Sequence, residues 1–418
     1  MITRRAFLKA GGLSLLGLGL GGVPTFVTRA AGMSTHAGKR NTLVCIFQRG
    51  AMDGLMAVTP FTDTHLQAAR PDLFMTAAKA AGDKALLDLD GRFGLHPALQ
   101  AFEPLFREQR LAVIHGMGSP NTTRSHFDAQ DYMESGTPFS KSTESGWLNR
   151  AVGLLEHDAT PFQAVSLTPA MPRALYGGHP ALAISNLKDF TVRTKGNAHA
   201  VGLTARSFEE LYDETSSTLL NEAGKDSFEA MNILKQTDTR RYTTEYGAQY
   251  PTSPLGNALR QIAQLIKMDV GLEVAFAESG GWDTHFNQGS INGTFARNAT
   301  DLASSITAFW KDLERFHDQV TVMTMTEFGR TVKQNGSRGT DHGRGSCAFV
   351  LGNAVRGGLV HGNVPELVLE NLEDQRDLPV TTDFRSVFSD VAVKHLRLQN
   401  STTLFPGWNG NGMQLMRG

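Results

Sequence analysis

Cysteine is nearly missing from this 418-residue chain, which has only Cys45 and Cys347. So small a number excludes a disulfide framework, a zinc ribbon and a CxxC redox pair. Each cysteine sits in an apolar run, which predicts a buried free thiol. A single Cys45–Cys347 bridge is the alternative in an oxidising compartment. An excess of charge of one sign is missing too, with 40 Lys+Arg against 41 Asp+Glu and a formal net charge of −1. With no basic run either, the chain is a poor nucleic-acid binder. Internal repeats and low-complexity segments are absent, which argues against a solenoid and against wholesale disorder. What remains, 40% hydrophobic and 19% charged, is an ordinary globular composition long enough for a large core.

The one extended apolar stretch lies near the N-terminus and is weak. Six glycines fall within residues 11–22 and Pro24 interrupts the run, so no stable membrane span is expected. Before it stands TRRAFLK at residues 3–9, and after it TRAAGM at 28–33. A paired arginine ahead of a modest apolar run and small residues is the pattern of a twin-arginine signal peptide, here residues 1–32. This implies the twin-arginine translocase as a partner during export, and a periplasmic or extracellular destination. Loss of Arg4, Arg5, Lys9 and Arg29 takes the formal charge from −1 to −5. Residues 40–418 then form the folded part.

In that part, short apolar runs alternate with helical periodicity. Candidate strands are 42–47, 111–118, 163–167, 272–279, 319–326 and 346–352. Their two-sided hydrophobicity suits strands covered on both faces. Candidate helices are 254–268 and 298–319, the second with Leu302, Ile306, Phe309, Leu313 and Phe316 at helical spacing. The expectation is an α/β fold, a mainly parallel central sheet flanked by helices, as a single domain. A more polar stretch near 205–250 reads as a helical insertion.

Open α/β sheets gather ligands at the carboxyl ends of their strands, and there the chain places its chemistry. Asp53 follows the first strand, as a metal ligand or equally as the N-cap of the next helix. Ser125 opens SHFDAQDYMESG. It reads either as an N-cap in a capping-box pair with Asp128, or as a nucleophile in the positive field of a helix N-terminus. Arg124 and His126 beside it could steady a substrate oxyanion, and Thr122 and Thr123 are rival nucleophiles. Asp283 and His285, two apart, face one side of an extended segment and suit half a metal site. Glu327 is a ligand candidate or a salt-bridge partner of Arg330. Asp341 and His342 sit on a loop with Gly339, Gly343 and Gly345, where a backbone can pass close to something. His115 and His361 are lone histidines near strand ends, each read first as structural, with the glycines around His361 adding weight to a site role.

The series RGAMDGL, RSHFDAQDYMESG, GGWDTH, TEFGRT, GTDHGRG and GGLVHG resembles the alkaline phosphatase superfamily. More closely, with the leader, it is similar to a bacterial family of twin-arginine-exported, sulfatase-like proteins catalogued as a domain of unknown function. The resemblance implies an alkaline phosphatase-like fold and two divalent ions, typically zinc, manganese or calcium. It makes Asp53 a ligand of one ion, Asp283 and His285 ligands of the other, and Ser125 the metal-activated nucleophile. Two mappings complete the set: Glu327 as the strand-end acid with His342 as the late histidine, or Asp341 and His342 as the pair with His361 last. Formylglycine chemistry is not supported, because Ser119-Pro120 lacks the x-Pro-x-Arg spacing. The function implied is an exported metal-dependent hydrolase of phosphate or sulfate esters, acting on a small-molecule or cell-envelope ester. The rival readings are a non-catalytic binding or envelope-assembly protein and an envelope transferase on the same scaffold.

Overall fold

The computed structural model describes residues 40–77, 85–157, 159–190, 242–399 and 402–417, with short stretches between 225 and 234. The leader, and most of the insertion expected near 205–250, lie outside the described residues.

Nine strands form the main sheet: β1 (Thr42–Gln48), β2 (Leu111–Gly118), β3 (Ala164–Ser166), β4 (Leu182–Ala183), β5 (Val274–Ser279), β6 (Val320–Met325), β7 (Ser346–Leu351), β8 (Val360–His361) and β9 (Thr382–Asp383). Their order is β8-β2-β7-β6-β1-β5-β3-β4, with β9 also on β2. Cys45 of β1 lies opposite Phe276 on β5 and Met323 on β6, both parallel. β7 alone runs antiparallel to its neighbours β2 and β6. The sheet is therefore mainly parallel, and all six apolar runs of the sequence are strands in it. A three-stranded sheet, Val58–Pro60, Phe93–Leu95 and Leu87–Asp88, stands apart.

The β1 side chains alternate between two cores. Val44 and Ile46 join one, and Leu43, Cys45 and Phe47 the other. Both sets are fully buried, which is why β1 reads as an unbroken apolar run. The cysteines are buried and free, on opposite faces, Cys45 with Leu43 and Cys347 with Val44.

Helices α1 (His126–Ser135), α2 (Pro254–Lys267), α3 (Thr294–Asp312) and α4 (Phe384–Leu396) complete the frame. Ser253 caps α2 by accepting from Gly256 N at 3.0 Å, with Pro254 in the first turn. Leu259, Ile262, Leu302, Ile306 and Phe309 of α2 and α3 cover one face, and Phe384, Val387, Phe388 and Val391 of α4 the other. Each such side chain contributes roughly 1.5–3 kcal/mol on burial. α3 starts before the expected residue 298 because Phe295 packs edge-on against Trp282, with ring centroids 5.7 Å apart. It stops at Asp312, whose carboxylate accepts from Lys267 Nζ (2.6 Å), Tyr250 Oη (2.9 Å), Glu245 N (2.7 Å) and the Tyr242 hydroxyl.

Two buried histidines link this frame to pH. His115 Nε2 donates to Val58 O at 2.9 Å, while its Nδ1 accepts from Gly116 N. His395 Nε2 donates to Thr42 O at 2.9 Å and its Nδ1 accepts from Thr321 Oγ1 at 3.0 Å. Each is satisfied as the neutral ring, and burial pushes each pKa down from 6.5 to about 4. The unfolded chain therefore binds more protons below pH 6.5. Stability is full above that value, falls as pH drops toward 4 and levels off below it, by up to roughly 3 kcal/mol per histidine. Urea midpoints from pH 7.5 to 4 should show this slope, and His395→Gln should remove about one histidine's share of it. An unchanged slope in that variant would refute the assignment.

Candidate metal centre

β1, β5 and β6 are parallel neighbours, so their carboxyl ends share one edge of the sheet. β7 runs the other way and starts at this edge, and β2 ends there, since Ser346 lies opposite Met117. The loops after β1, β5 and β6, the start of α1 and the loop entering β7 therefore meet.

At the meeting point, ligand atoms of His126, Asp283 and His342 lie within 4.8 Å of one another. Asp283 Oδ1 is the centre, 3.5 Å from His126 Nε2, 3.4 Å from His342 Nε2 and 3.1 Å from His285 Nε2. His285 and His342 bring their Nε2 atoms to 2.8 Å of each other. The other nitrogen of each ring is held by a group that can only accept. His126 Nδ1 meets Glu327 Oε1, His285 Nδ1 meets Asp341 Oδ1 and His342 Nδ1 meets Arg124 O, each at 2.8 Å. Each Nδ1 must therefore carry the proton, so a neutral ring presents a bare Nε2 lone pair. His126 Nε2 is buried without a hydrogen-bond partner. Three lone pairs and a carboxylate thus face one another, a set of electron-pair donors that suits a divalent cation. The spacings to Asp283 Oδ1, 3.1–3.5 Å, are close to the roughly 3.3 Å separating ligands of a tetrahedral zinc ion, and the His285–His342 pair at 2.8 Å is tighter than that.

The supporting shell is specific. Glu327, fully buried, takes hydrogen bonds through Oε1 from Gly50 N (2.8 Å) and Gln130 Nε2 (2.9 Å) besides His126. Burial raises its pKa, but these bonds outweigh burial and hold it below the usual glutamate range. Arg330, also buried, donates through Nη2 to Asp283 Oδ1 at 2.7 Å, and through its other nitrogens to Ala51 O and Thr340 O. Partial burial raises the Asp283 pKa, but Arg330 and the nearby imidazoles leave it lowered, so the carboxylate is ready as an anion. The His126 pKa is raised, chiefly by its bond to Glu327, whereas burial leads in lowering that of His342. Carboxylates and carbonyls behind ligating histidines fix their orientation and raise their basicity.

The glycine loop entering β7 is shaped by backbone contacts. A Cβ on Gly339 would stand 2.3 Å from His285 O, and one on Gly343 would stand 2.4 Å from the carbonyl carbon of Arg330. Only glycine lets the loop close over both segments, and that closure delivers Asp341 and His342.

Of the residues singled out in the sequence, His126, Asp283, His285 and His342 come together, with Glu327, Asp341 and the Arg124 backbone directly behind them. His126 stands among the ligand atoms rather than at an oxyanion. The Arg124 guanidinium is taken by Asp374 (2.7 Å) and Asp377 (2.6 Å). Arg330 pairs with Asp283, not with Glu327. Ser125 is the exposed N-cap of α1, yet its side chain makes no capping bond, and Asp128 pairs with Lys141 instead of completing a capping box. Asp53 lies apart, at 0% side-chain exposure. Both its oxygens are engaged by Arg70 (2.9 and 3.1 Å), and Oδ2 also by Gln288 (2.7 Å). It caps the short helix Gly54–Ala57. His361 is on β8, with Nε2 on Arg356 O at 2.9 Å. Among the described residues, one group of ligand-type side chains lies within mutual reach of a single ion, His126, Asp283 and His342, with His285 beside it on Asp283 and His342. Gln130 went unnoticed in the sequence, because a glutamine one helical turn after His126 carries no spacing signal of its own.

A family model described as "Protein of unknown function (DUF1501)" matches residues 111–404. The chain belongs to that family. The matched stretch contains every residue of the convergent group and leaves Asp53 outside. No curated protein matches the chain. Among solved structures it is similar to the C-terminal periplasmic domain of EcEptC from Escherichia coli in complex with Zn, at 9% identity and TM-score 0.35, covering 76% of this chain and 74% of that one. It is also similar to an alkaline phosphatase superfamily protein from Vibrio parahaemolyticus, at 12% identity and TM-score 0.34, covering 80% and 66%. A third likeness is to Ps i-CgsB in complex with k-i-k-neocarrahexaose, at 7% identity and TM-score 0.41, covering 90% and 75%. Likenesses this distant leave the chemistry to be read from the chain's own side chains.

Proposed function

We propose that this chain is an exported, metal-dependent hydrolase of phosphate or sulfate esters. The observation that carries the reading is the convergence of three bare imidazole nitrogens on Asp283 Oδ1. His126, His285, His342 and Asp283 would hold one divalent cation. Three imidazoles with one carboxylate suit zinc better than calcium, which wants six or more oxygens. One ion is proposed rather than two, because Asp53 lies fully buried and outside the convergent group, with no second cluster of ligand-type side chains among the described residues. The cation would supply Lewis-acid charge on the ester oxygens.

The chain's own groups supply the rest. Glu327 and Asp341 keep the rings of His126 and His285 in the ligating tautomer. Arg330 keeps Asp283 ionised and aimed. Ser125 stands one residue before His126 at the N-terminus of α1, where the helix field favours the anionic group of an ester. Its Oγ would bond to phosphorus or sulfur as the bond to the alcohol oxygen breaks, the hydroxyl proton leaving with the alcohol. Water would then cleave the seryl ester and return the proton to Ser125. The twin-arginine leader would deliver the folded domain to the periplasm. No helix of the described residues is long and apolar enough to cross a membrane.

Elemental analysis and an ester screen of the purified protein test this. The expected result is about one equivalent of a zinc-class metal. Ser125→Ala should keep the metal and lose turnover by roughly a thousandfold or more. Wild-type protein that stays metal-free after zinc is supplied would overturn the hydrolase reading in favour of a binding protein. Full turnover in Ser125→Ala would remove the serine from the mechanism.

A further inference from the structure

His126, Gln130 and Glu134 stand at i, i+4 and i+8 of α1 and so lie along one face of the helix. Two remote groups hold that face. Glu327, in the loop after β6, meets His126 Nδ1 at 2.8 Å and accepts from Gln130 Nε2 at 2.9 Å, both through Oε1. Arg49, the residue after β1, donates through Nη1 to Gln130 Oε1 at 3.2 Å and to Glu134 Oε1 at 2.6 Å. Its Nε and Nη2 donate to Glu278 Oε1 on β5 at 3.0 and 2.7 Å. One guanidinium thus ties the end of β1 to the helix that starts with His126 and to the strand that leads into Asp283 and His285.

These bonds have a direction. A guanidinium only donates, and an ionised carboxylate only accepts. Gln130 stands between the two, so its carbonyl must face Arg49 and its amide nitrogen must face Glu327. The reversed amide would set N–H against N–H at one end and oxygen against oxygen at the other. Arg49 therefore favours the one Gln130 orientation that delivers a donor to Glu327, at the same oxygen that holds the His126 ring.

We infer that Arg49 and Gln130 are positioning residues for the cation site. Arg49 fixes the Gln130 amide, Gln130 steadies the Glu327 carboxylate, and Glu327 aims the His126 ring whose Nε2 faces Asp283. Neither Arg49 nor Gln130 touches the ion. This rests on the metal-binding part of the proposed function and extends it to two residues that act only through others.

Zinc affinity of the full chain, measured by calorimetric competition with a chelator, tests this beside the melting temperature of the metal-free protein. Gln130→Met fills a similar space and makes neither bond, so it should bind zinc about tenfold more weakly than wild type. Arg49→Lys keeps a positive charge beside Glu134 and Glu278 but lacks the planar fork that also reaches Gln130. It should weaken zinc binding about threefold in the wild-type background. It should cost nothing further in Gln130→Met, because its route to the centre is already cut. A merely structural role would lower the melting temperature and leave the zinc affinity of Gln130→Met within about twofold of wild type. That result would overturn the relay and leave the metal centre standing. So would an Arg49→Lys effect of the same size, zero included, in both backgrounds. Wild type that binds no zinc would overturn both.

Discussion

Asp283→Ala is expected to strip the centre of its metal while leaving the fold intact. Asp283 Oδ1 lies within 3.5 Å of all three imidazole Nε2 atoms, so its removal leaves three neutral donors and takes the carboxylate from among them. Partners standing behind a ligand are worth 10- to 100-fold in metal affinity, and loss of the ligand itself should cost at least about 100-fold. The metal-free chain should lose some stability as well, because the fully buried Arg330 guanidinium gives up its carboxylate partner and keeps only carbonyl partners. Two measurements separate these effects. Elemental analysis should fall from about one equivalent to near zero. Zinc should raise the melting temperature of wild type, as a ligand bound only to the native state must, and should not raise that of the variant. An Asp283→Ala protein that keeps its metal and its zinc-dependent shift would show that the ion sits elsewhere.

Arg70→Ala should be the most destabilising single change among those considered. Its guanidinium is 2% exposed and lies against Asp53 at 0%. It also donates to Thr331 O and Val332 O, each at 2.8 Å. Breaking such a pair leaves a buried carboxylate with only Gln288 and the backbone of Met56, at a cost of roughly 3–5 kcal/mol. Denaturant midpoints would read this directly, and Asp53→Asn with Arg70→Met should recover part of the loss. Asp53→Asn also decides whether Asp53 has a metal role. With Asp53 serving as an N-cap and ion-pair partner, its metal content should match wild type. Lost metal would restore Asp53 to the ligand set.

Much of this was open to inspection before any fold was known, and the physical grounds can be named. β1, β5 and β6 are buried on both faces, so each is rich in apolar residues, with threonines at Thr321 and Thr324 of β6, and such runs stand out against the polar chain around them. Leu302, Ile306 and Phe309 repeat at helical spacing because one stripe of α3 faces the sheet. Asp283 and His285 stand two apart in an extended loop, and their chemistry shows without long-range information. The glycines around Asp341 and His342 marked a close backbone approach, though not what was approached.

Which side chains share a centre depends on contacts between residues far apart in the chain, and local spacing cannot encode them. His126 reads locally as a neighbour of Ser125. It becomes a ligand candidate because α1 begins at the same sheet edge where β5 and β6 end, and because Glu327, 201 residues away, turns its ring. Asp53 reads as a strand-end metal ligand until Arg70 and Gln288 are seen to close over it. Arg330 reads as the partner of Glu327, its near neighbour, but its buried guanidinium reaches Asp283 on the loop after β5, on the far side of β1. Apolar periodicity along the chain was enough to mark six of the strands of the main sheet, helices α2 and α3, and the edge where chemistry gathers. The choice of ligands at that edge came from packing, because a buried charge takes whichever partner the fold brings within hydrogen-bond reach.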